Sequence, residues 1–275
     1  MTRFLWLLLI PLLLLIYPWL IRPNQAHRDW SAFTGYDYAH RGLWDQLRPE
    51  NSLAAFEAAA KAGFGIELDV RLTQDGQLVI HHDASLERMC SESLYIEETD
   101  LATLRRCRLL DTDQQIPTLS EVLTLVAGRV PLILELKVAG NTDELASAVY
   151  NQMQDYAGSW CVESFHPSAL LWFRRYAPEI LRGQLTFDHR GQAGRSLSIR
   201  LRDFFIASMM GNALSRPDFI ANEANTEQTD QLPIRLLRRM NSYWVAWTIR
   251  SLDDLAYYRE RYDLIIFEGF QPDSI

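Results

Sequence analysis

Short apolar runs recur along the chain, separated by longer stretches with helical spacing. Runs at Tyr36–His40, Gly65–Val70, Gln77–His82, Leu132–Lys137, Trp160–Ser164, Ile180–Thr186, Asp218–Asn222, Tyr243–Ile249 and Leu264–Glu268 predict strands. Between them, Asn51-Ser52 offers a cap for LAAFEAAAKAG, which Gly63 ends, and Pro117-Thr118-Leu119-Ser120 opens a helix through SEVLTLVA. Further helices are predicted from Thr142 to Asp155, Pro167 to Tyr176 and Leu252 to Tyr262. This alternation predicts a parallel α/β fold, and its length and order suit a (β/α)8 barrel. Nine runs are one more than such a barrel holds, so either one lies outside it or one is not a strand. The Thr73–Gly76 segment (TQDG) reads as a turn too short to contain a crossover helix.

Two stretches break the alternation. From Phe4 to Ile21 every residue is apolar, aromatic or proline, and as a helix this run would span about 27 Å, enough to cross a hydrocarbon core. Trp6, Tyr17 and Trp19 near its ends suit interfacial aromatic belts. A cleaved signal peptide is the alternative, but the run is long for one and Asn24-Gln25-Ala26 is a poor cleavage site. The expectation is therefore an anchor over residues 1–22, a linker over 23–35 and a catalytic domain over 36–275. Arg3 on one side and Arg22 and Arg28 on the other leave the orientation open. In the second stretch, residues 187–217, Leu197, Leu201, Phe204, Phe205 and Met209 recur at near-helical spacing beside Arg195, Arg200 and Arg202. Two readings stand: an amphipathic helix facing a membrane, or a helix packed on the barrel with its arginines in solvent.

Composition narrows the function classes. Hydrophobic residues make up 48% and charged residues 23%, which fits a globular domain with a large core. A net charge of -8 argues against a nucleic-acid partner. Cys90, Cys107 and Cys161 are odd in number and lack CxxC spacing, so they read as free thiols.

The chemistry gathers at the carboxyl ends of the first predicted strands, the end where barrel enzymes carry their catalytic groups. His40-Arg41-Gly42 closes the first strand, Glu67 and Asp69 the second, His82-Asp83 the third, and Glu135 and Lys137 the fourth. Glu67, Asp69 and Glu135 would converge, and three close carboxylates need a cation between them. All-oxygen ligation selects a hard ion, Mg2+ or Ca2+. The alternative, three separately solvated or salt-bridged acids, fits poorly with their apolar settings in GIELDV and LILELK. His40 and His82 suit general acid and base roles, in an order the residues leave open, whereas alternation turns His81 away. Arg41 and Lys137 are the cations that could hold a phosphodiester, or could simply pair with the acids.

The succession AHRG, PENSLAAFEAAAKAG, IELDVRLTQDGQLVIHHDASLER, IPTLSEVL and ILELK resembles the glycerophosphodiester phosphodiesterase family in order and spacing from about residue 38 to 137. Glu163-Ser164-Phe165 and Trp247-Thr248 extend the resemblance more weakly. It implies a (β/α)8 barrel, a divalent cation on Glu67, Asp69 and Glu135, acid–base work by His40 and His82, and phosphate contacts from Arg41 and Lys137. Trp247 would pack on the glycerol or a lipid moiety, or is an ordinary core tryptophan. Two departures bear on substrate choice: Phe267-Glu268-Gly269-Phe270-Gln271-Pro272 replaces the family's T-D-x-P, and Ile249-Arg250 replaces Val-Asn. The stretch 187–217 and the run from Arg216 to Ala221 resemble the membrane-associated branch.

The expected reaction is metal-dependent hydrolysis of a glycerophosphodiester to an alcohol and sn-glycerol 3-phosphate. Two rivals remain: lysophospholipase D-type cleavage of a lysophospholipid, and a catalytically silent, membrane-tethered binding module, against which the complete acid and histidine set argues.

Overall fold

The computed structural model describes residues 16–24, 26, 29–187, 196–224, 231–240 and 242–273. Nine strands form one sheet: β1 (Asp37–His40), β2 (Gly65–Leu72), β3 (Leu78–Ile80), β4 (Leu132–Leu136), β5 (Trp160–Ser164), β6 (Arg182–Thr186), β7 (Phe219–Glu223), β8 (Tyr243–Ile249) and β9 (Leu264–Phe267). All neighbours pair in parallel except β2 and β3, and β1 pairs with both β2 and β9. The ring β1-β2-β4-β5-β6-β7-β8-β9 is thus a closed parallel eight-stranded barrel.

The surplus strand is β3. The TQDG turn cannot house a crossover, so the chain returns antiparallel along β2, pairing Val70 with Ile80 and Leu72 with Leu78. Contrary to the expectation that it ends the third barrel strand, His82 lies outside the barrel ring. It follows a hairpin strand that carries it back toward the barrel mouth.

Seven helices of seven or more residues accompany the barrel among the described residues: α1 (Leu53–Lys61), α2 (Leu119–Val126), α3 (Thr142–Met153), α4 (Pro167–Tyr176), α5 (Leu197–Ala207), α6 (Leu232–Arg238) and α7 (Leu252–Arg259). Their starts follow from local chemistry. The Ser52 side chain accepts from Ala55 N–H, and Thr118 forms a reciprocal capping box with Glu121. Leucine, isoleucine, valine and phenylalanine side chains from strands and helices form the main core between the two layers.

A second cluster closes the floor of the barrel. Trp30 and Phe33 are buried there and stack at 5.0 Å, and Trp30 also meets Phe219 at 5.0 Å and Tyr243 at 5.1 Å. Both lie in residues 23–35, the expected linker, so part of that segment packs as a plug.

Most of the expected anchor, residues 1–15, lies outside the described residues. No helix among the described residues is long and apolar enough to cross a membrane. Residues 16–21 are helical and dock on the barrel wall. Tyr17 Oη donates to Ser208 O (2.8 Å), Asn212 Nδ2 to Ile21 O (2.8 Å), and Arg216 to Trp19 O (2.8 Å) and Arg22 O (3.0 Å).

Candidate active site

Barrel register sets the site. His40 lies beside Glu67 across β1 and β2, Asp69 beside Glu135 across β2 and β4, and Glu135 beside Glu163 across β4 and β5. Because side chains alternate, Glu67 and Asp69 share the inner face of β2. Ligand oxygens of Glu67, Asp69 and Glu135 all lie within 4.8 Å of one another, and all three residues are buried. This is the convergence expected for the three acids.

Arg41 and Lys137 stand among them. Lys137 Nζ lies 3.0 Å from Asp69 and 2.7 Å from Glu135, while Arg41 Nε lies 3.2 Å from Asp69. Arg41 N–H donates to Glu67 at 3.1 Å. The backbone that aims it is unusual: Arg41 has φ 58° and Gly42 φ 83°. A Cβ on Gly42 would come 2.8 Å from the Ala55 backbone of α1, so this turn requires glycine there.

The charges are unevenly balanced. Burial would raise the Asp69 carboxyl, but Lys137 and Arg41 hold it well below the ordinary carboxylate range. Burial pushes Glu67 well above that range, and neighbouring Asp69 and Glu135 push it further. Burial also raises Glu135, against the opposing pull of Lys137. Lys137 is raised despite burial, by Asp69 and Glu135. All three acids ionised would carry more negative charge than the two cations neutralise, and the raised Glu67 and Glu135 carboxyls show that this state needs a further cation, in an all-oxygen setting. That is the donor set and the electrostatic deficit a hard divalent cation fits.

Both expected histidines reach the site. His40 Nε2 points at Glu67 from 3.9 Å, and its Nδ1 bonds to Glu268, which also accepts from Arg250. Burial lowers the His40 imidazole despite this contact. Glu268 stays ionised, lowered to about 2 against burial by its bonds to His40 and Arg250. His82 Nδ1 bonds to Asp83 at 2.8 Å, and burial lowers it to about 4 although the Asp69 charge opposes this. His81 is buried elsewhere, with Nδ1 2.8 Å from Asp83 O.

Six supporting residues were not assigned from sequence. Glu268 orients His40. Glu50 accepts from Arg41 (2.8 Å) and from Arg88 (2.7 Å), and Arg88 also reaches Asp83 (2.5 Å), so the His82 side is tied to the Arg41 side. Asn51, at φ 57°, donates to Asp69 at 2.8 Å. Arg71 donates to the His82 carbonyl at 2.7 Å and holds the loop after β3. Glu163 is fully surrounded, and burial together with Glu135 holds it well above the carboxylate range. The motif PENS, part of the family resemblance and of the helix cap, also carries the signal for Glu50 and Asn51.

Trp247 is part-buried, donates Nε1–H to Ala221 O at 3.0 Å and meets Phe165 edge-on at 5.7 Å. Phe165 also helps line a cavity of about 480 Å3 that opens beside Glu135 and Lys137, with Phe187, Phe205 and Ile206 on its wall.

Comparison with known proteins agrees with this geometry. The model of the glycerophosphoryl diester phosphodiesterase family matches residues 40–264. Glycerophosphodiester phosphodiesterase 1 of Mus musculus is 27% identical over 246 residues, covering 80% of this chain and 73% of the relative. Lysophospholipase D GDPD1 of Rattus norvegicus is 33% identical over 143 residues, covering 47% and 43%. An Oleispira antarctica phosphodiesterase, solved with the product sn-glycerol-3-phosphate, superposes with a TM-score of 0.70 at 24% identity, covering 86% of this chain and 93% of that one. With matched sequence running from His40 on β1 into β9, the chain belongs to the glycerophosphoryl diester phosphodiesterase family.

Proposed function

We propose that the protein hydrolyses glycerophosphodiesters to an alcohol and sn-glycerol 3-phosphate, with Glu67, Asp69 and Glu135 holding Mg2+ or Ca2+. The observation that carries this reading is the buried acidic triad flanked by two histidines and two cationic side chains. A bound divalent ion would supply positive charge to the non-bridging phosphate oxygens. Arg41 and Lys137, both already turned toward the triad, contact the phosphate and stabilise the charge that builds on it.

Proton transfer falls to the histidines. One imidazole takes the proton of the attacking hydroxyl, and the other delivers a proton to the alcohol oxygen as its bond to phosphorus breaks. The nucleophile is water or the glycerol 2-hydroxyl, and protons balance with either histidine as the base. Glu268 accepts from His40 Nδ1–H, which leaves Nε2 facing the triad and stabilises the imidazolium when it forms. Asp83 does the same for His82.

A lysophospholipid substrate is the second reading. It is favoured by the aromatic-lined cavity beside Lys137, which suits the acyl chain carried by the glycerophosphate half of such a substrate, and by the likeness to a lysophospholipase D. The apolar run of residues 4–21 supports an accompanying proposal, that the chain is held at a membrane by its N-terminal segment. Comparing turnover of glycerophosphocholine with that of lysophosphatidylcholine in vesicles decides between the substrates. Release of glycerol 3-phosphate from the soluble diester supports the first. Activity on the lysolipid alone selects the second.

A further inference from the structure

Helix α5 presents its apolar side chains the wrong way round for a helix packed on a barrel. At 3.6 residues per turn, Leu197, Leu201, Phe204 and Phe205 fall within an arc of about 100°. They are 70%, 60%, 53% and 42% exposed. On the opposite side Asp203 and Ala207 are buried. Arg200 and Arg202 flank the apolar arc, one on each side, and both are exposed, Arg202 while also donating to Asp203 at 3.0 Å. Of the five apolar positions that recur in the sequence, only Met209 turns inward.

We propose that α5 docks the molecule on the headgroup layer of an anionic bilayer. Its leucines and phenylalanines enter the acyl region, and Arg200 and Arg202 reach lipid phosphates. Three observations favour lipid as the occupant. The arginine flanks place local positive charge on a chain of net charge -8, which suits an anionic interface. The helical residues 16–21 dock at the C-terminal end of α5 through Tyr17 and Ser208, and the sequence leading into them, residues 4–15, is entirely apolar. There Trp19 is 53% exposed, with the guanidinium groups of Arg22 and Arg216 at 5.2 Å and 4.8 Å from its ring, an interfacial pairing of aromatic and cation. Finally, Phe205 belongs both to the exposed arc and to the wall of the cavity beside Lys137, so the docking face is continuous with the site. This last point rests on the proposed function, whereas the docking face itself does not.

The test is hydrogen exchange of the full chain with and without phosphatidylcholine vesicles containing a quarter phosphatidylglycerol. Amides of residues 197–207 are expected to exchange at least about tenfold more slowly with vesicles. The double variant Leu201→Glu, Phe204→Glu should lose that protection while keeping its melting temperature and its turnover of glycerophosphocholine. Exchange across α5 that vesicles leave unchanged overturns the proposal, whether the helix is already covered by the N-terminal run or a second copy, or stays open to solvent. Protection that survives in the double variant overturns it too. Because exchange is read without turnover, an inactive protein would refute the proposed reaction and leave this result standing.

Discussion

At the scale of single residues, the site depends on pairs that hold each histidine in one orientation. Replacing His40 or His82 by alanine should lower kcat by about 100- to 10,000-fold without unfolding the domain, as steady-state rates and a melting curve will show. Glu268→Gln should lower kcat by about tenfold or more with little change in KM, because the glutamine keeps the shape and loses the charge that steadies a His40 imidazolium. Equal losses in KM alone would make Glu268 a substrate-binding group instead. The motif residues at 40–42, 67–69, 82 and 135–137 were legible in the sequence because each acid, base or cation interrupts an apolar strand. Glu268 was not. It stands in a segment that departs from the family's usual T-D-x-P, and its partner lies 228 positions away, brought close only by the closure of β9 on β1.

Elements explain what periodicity could and could not decide. All nine predicted strands are present, because strands buried on both faces show as dense apolar runs. Periodicity carries no strand direction, so the surplus strand surfaced only through its pairing, and with it the true setting of His82. Glu163 on β5 gives a test at this scale. Its carboxyl is raised by burial and by Glu135, so the folded state retains a proton that the unfolded chain releases near the ordinary glutamate value. Stability is therefore lost as pH rises above about 4.5 toward the raised value. Glu163→Gln removes that loss. In metal-free protein its melting temperature should match the parent at about pH 4 and exceed it by a margin that grows as pH rises toward about 8. A difference independent of pH would mean that Glu163 is ionised and paired in the fold.

Across the whole molecule, the two ends of the barrel do different work. The floor is lined by aromatic and aliphatic side chains, and the mouth gathers the titratable groups. Trp30→Ala should cost about 3–5 kcal/mol in denaturant unfolding while leaving KM unchanged, since the plug lies at the opposite end from the triad. That plug had the composition of a linker, and only the open floor of the barrel gives Trp30 and Phe33 a place to bury. The proposed chemistry rests on the mouth, where three buried carboxylates, once ionised, need more positive charge than Arg41 and Lys137 supply. The most direct measurement is glycerol 3-phosphate release from glycerophosphocholine by the full chain, after EDTA treatment and then with Mg2+ or Ca2+ restored. The proposed mechanism predicts loss of turnover with EDTA, recovery with one of the two ions, and no recovery in Glu67→Gln. Undiminished turnover in EDTA by a chain shown to be metal-free would contradict it.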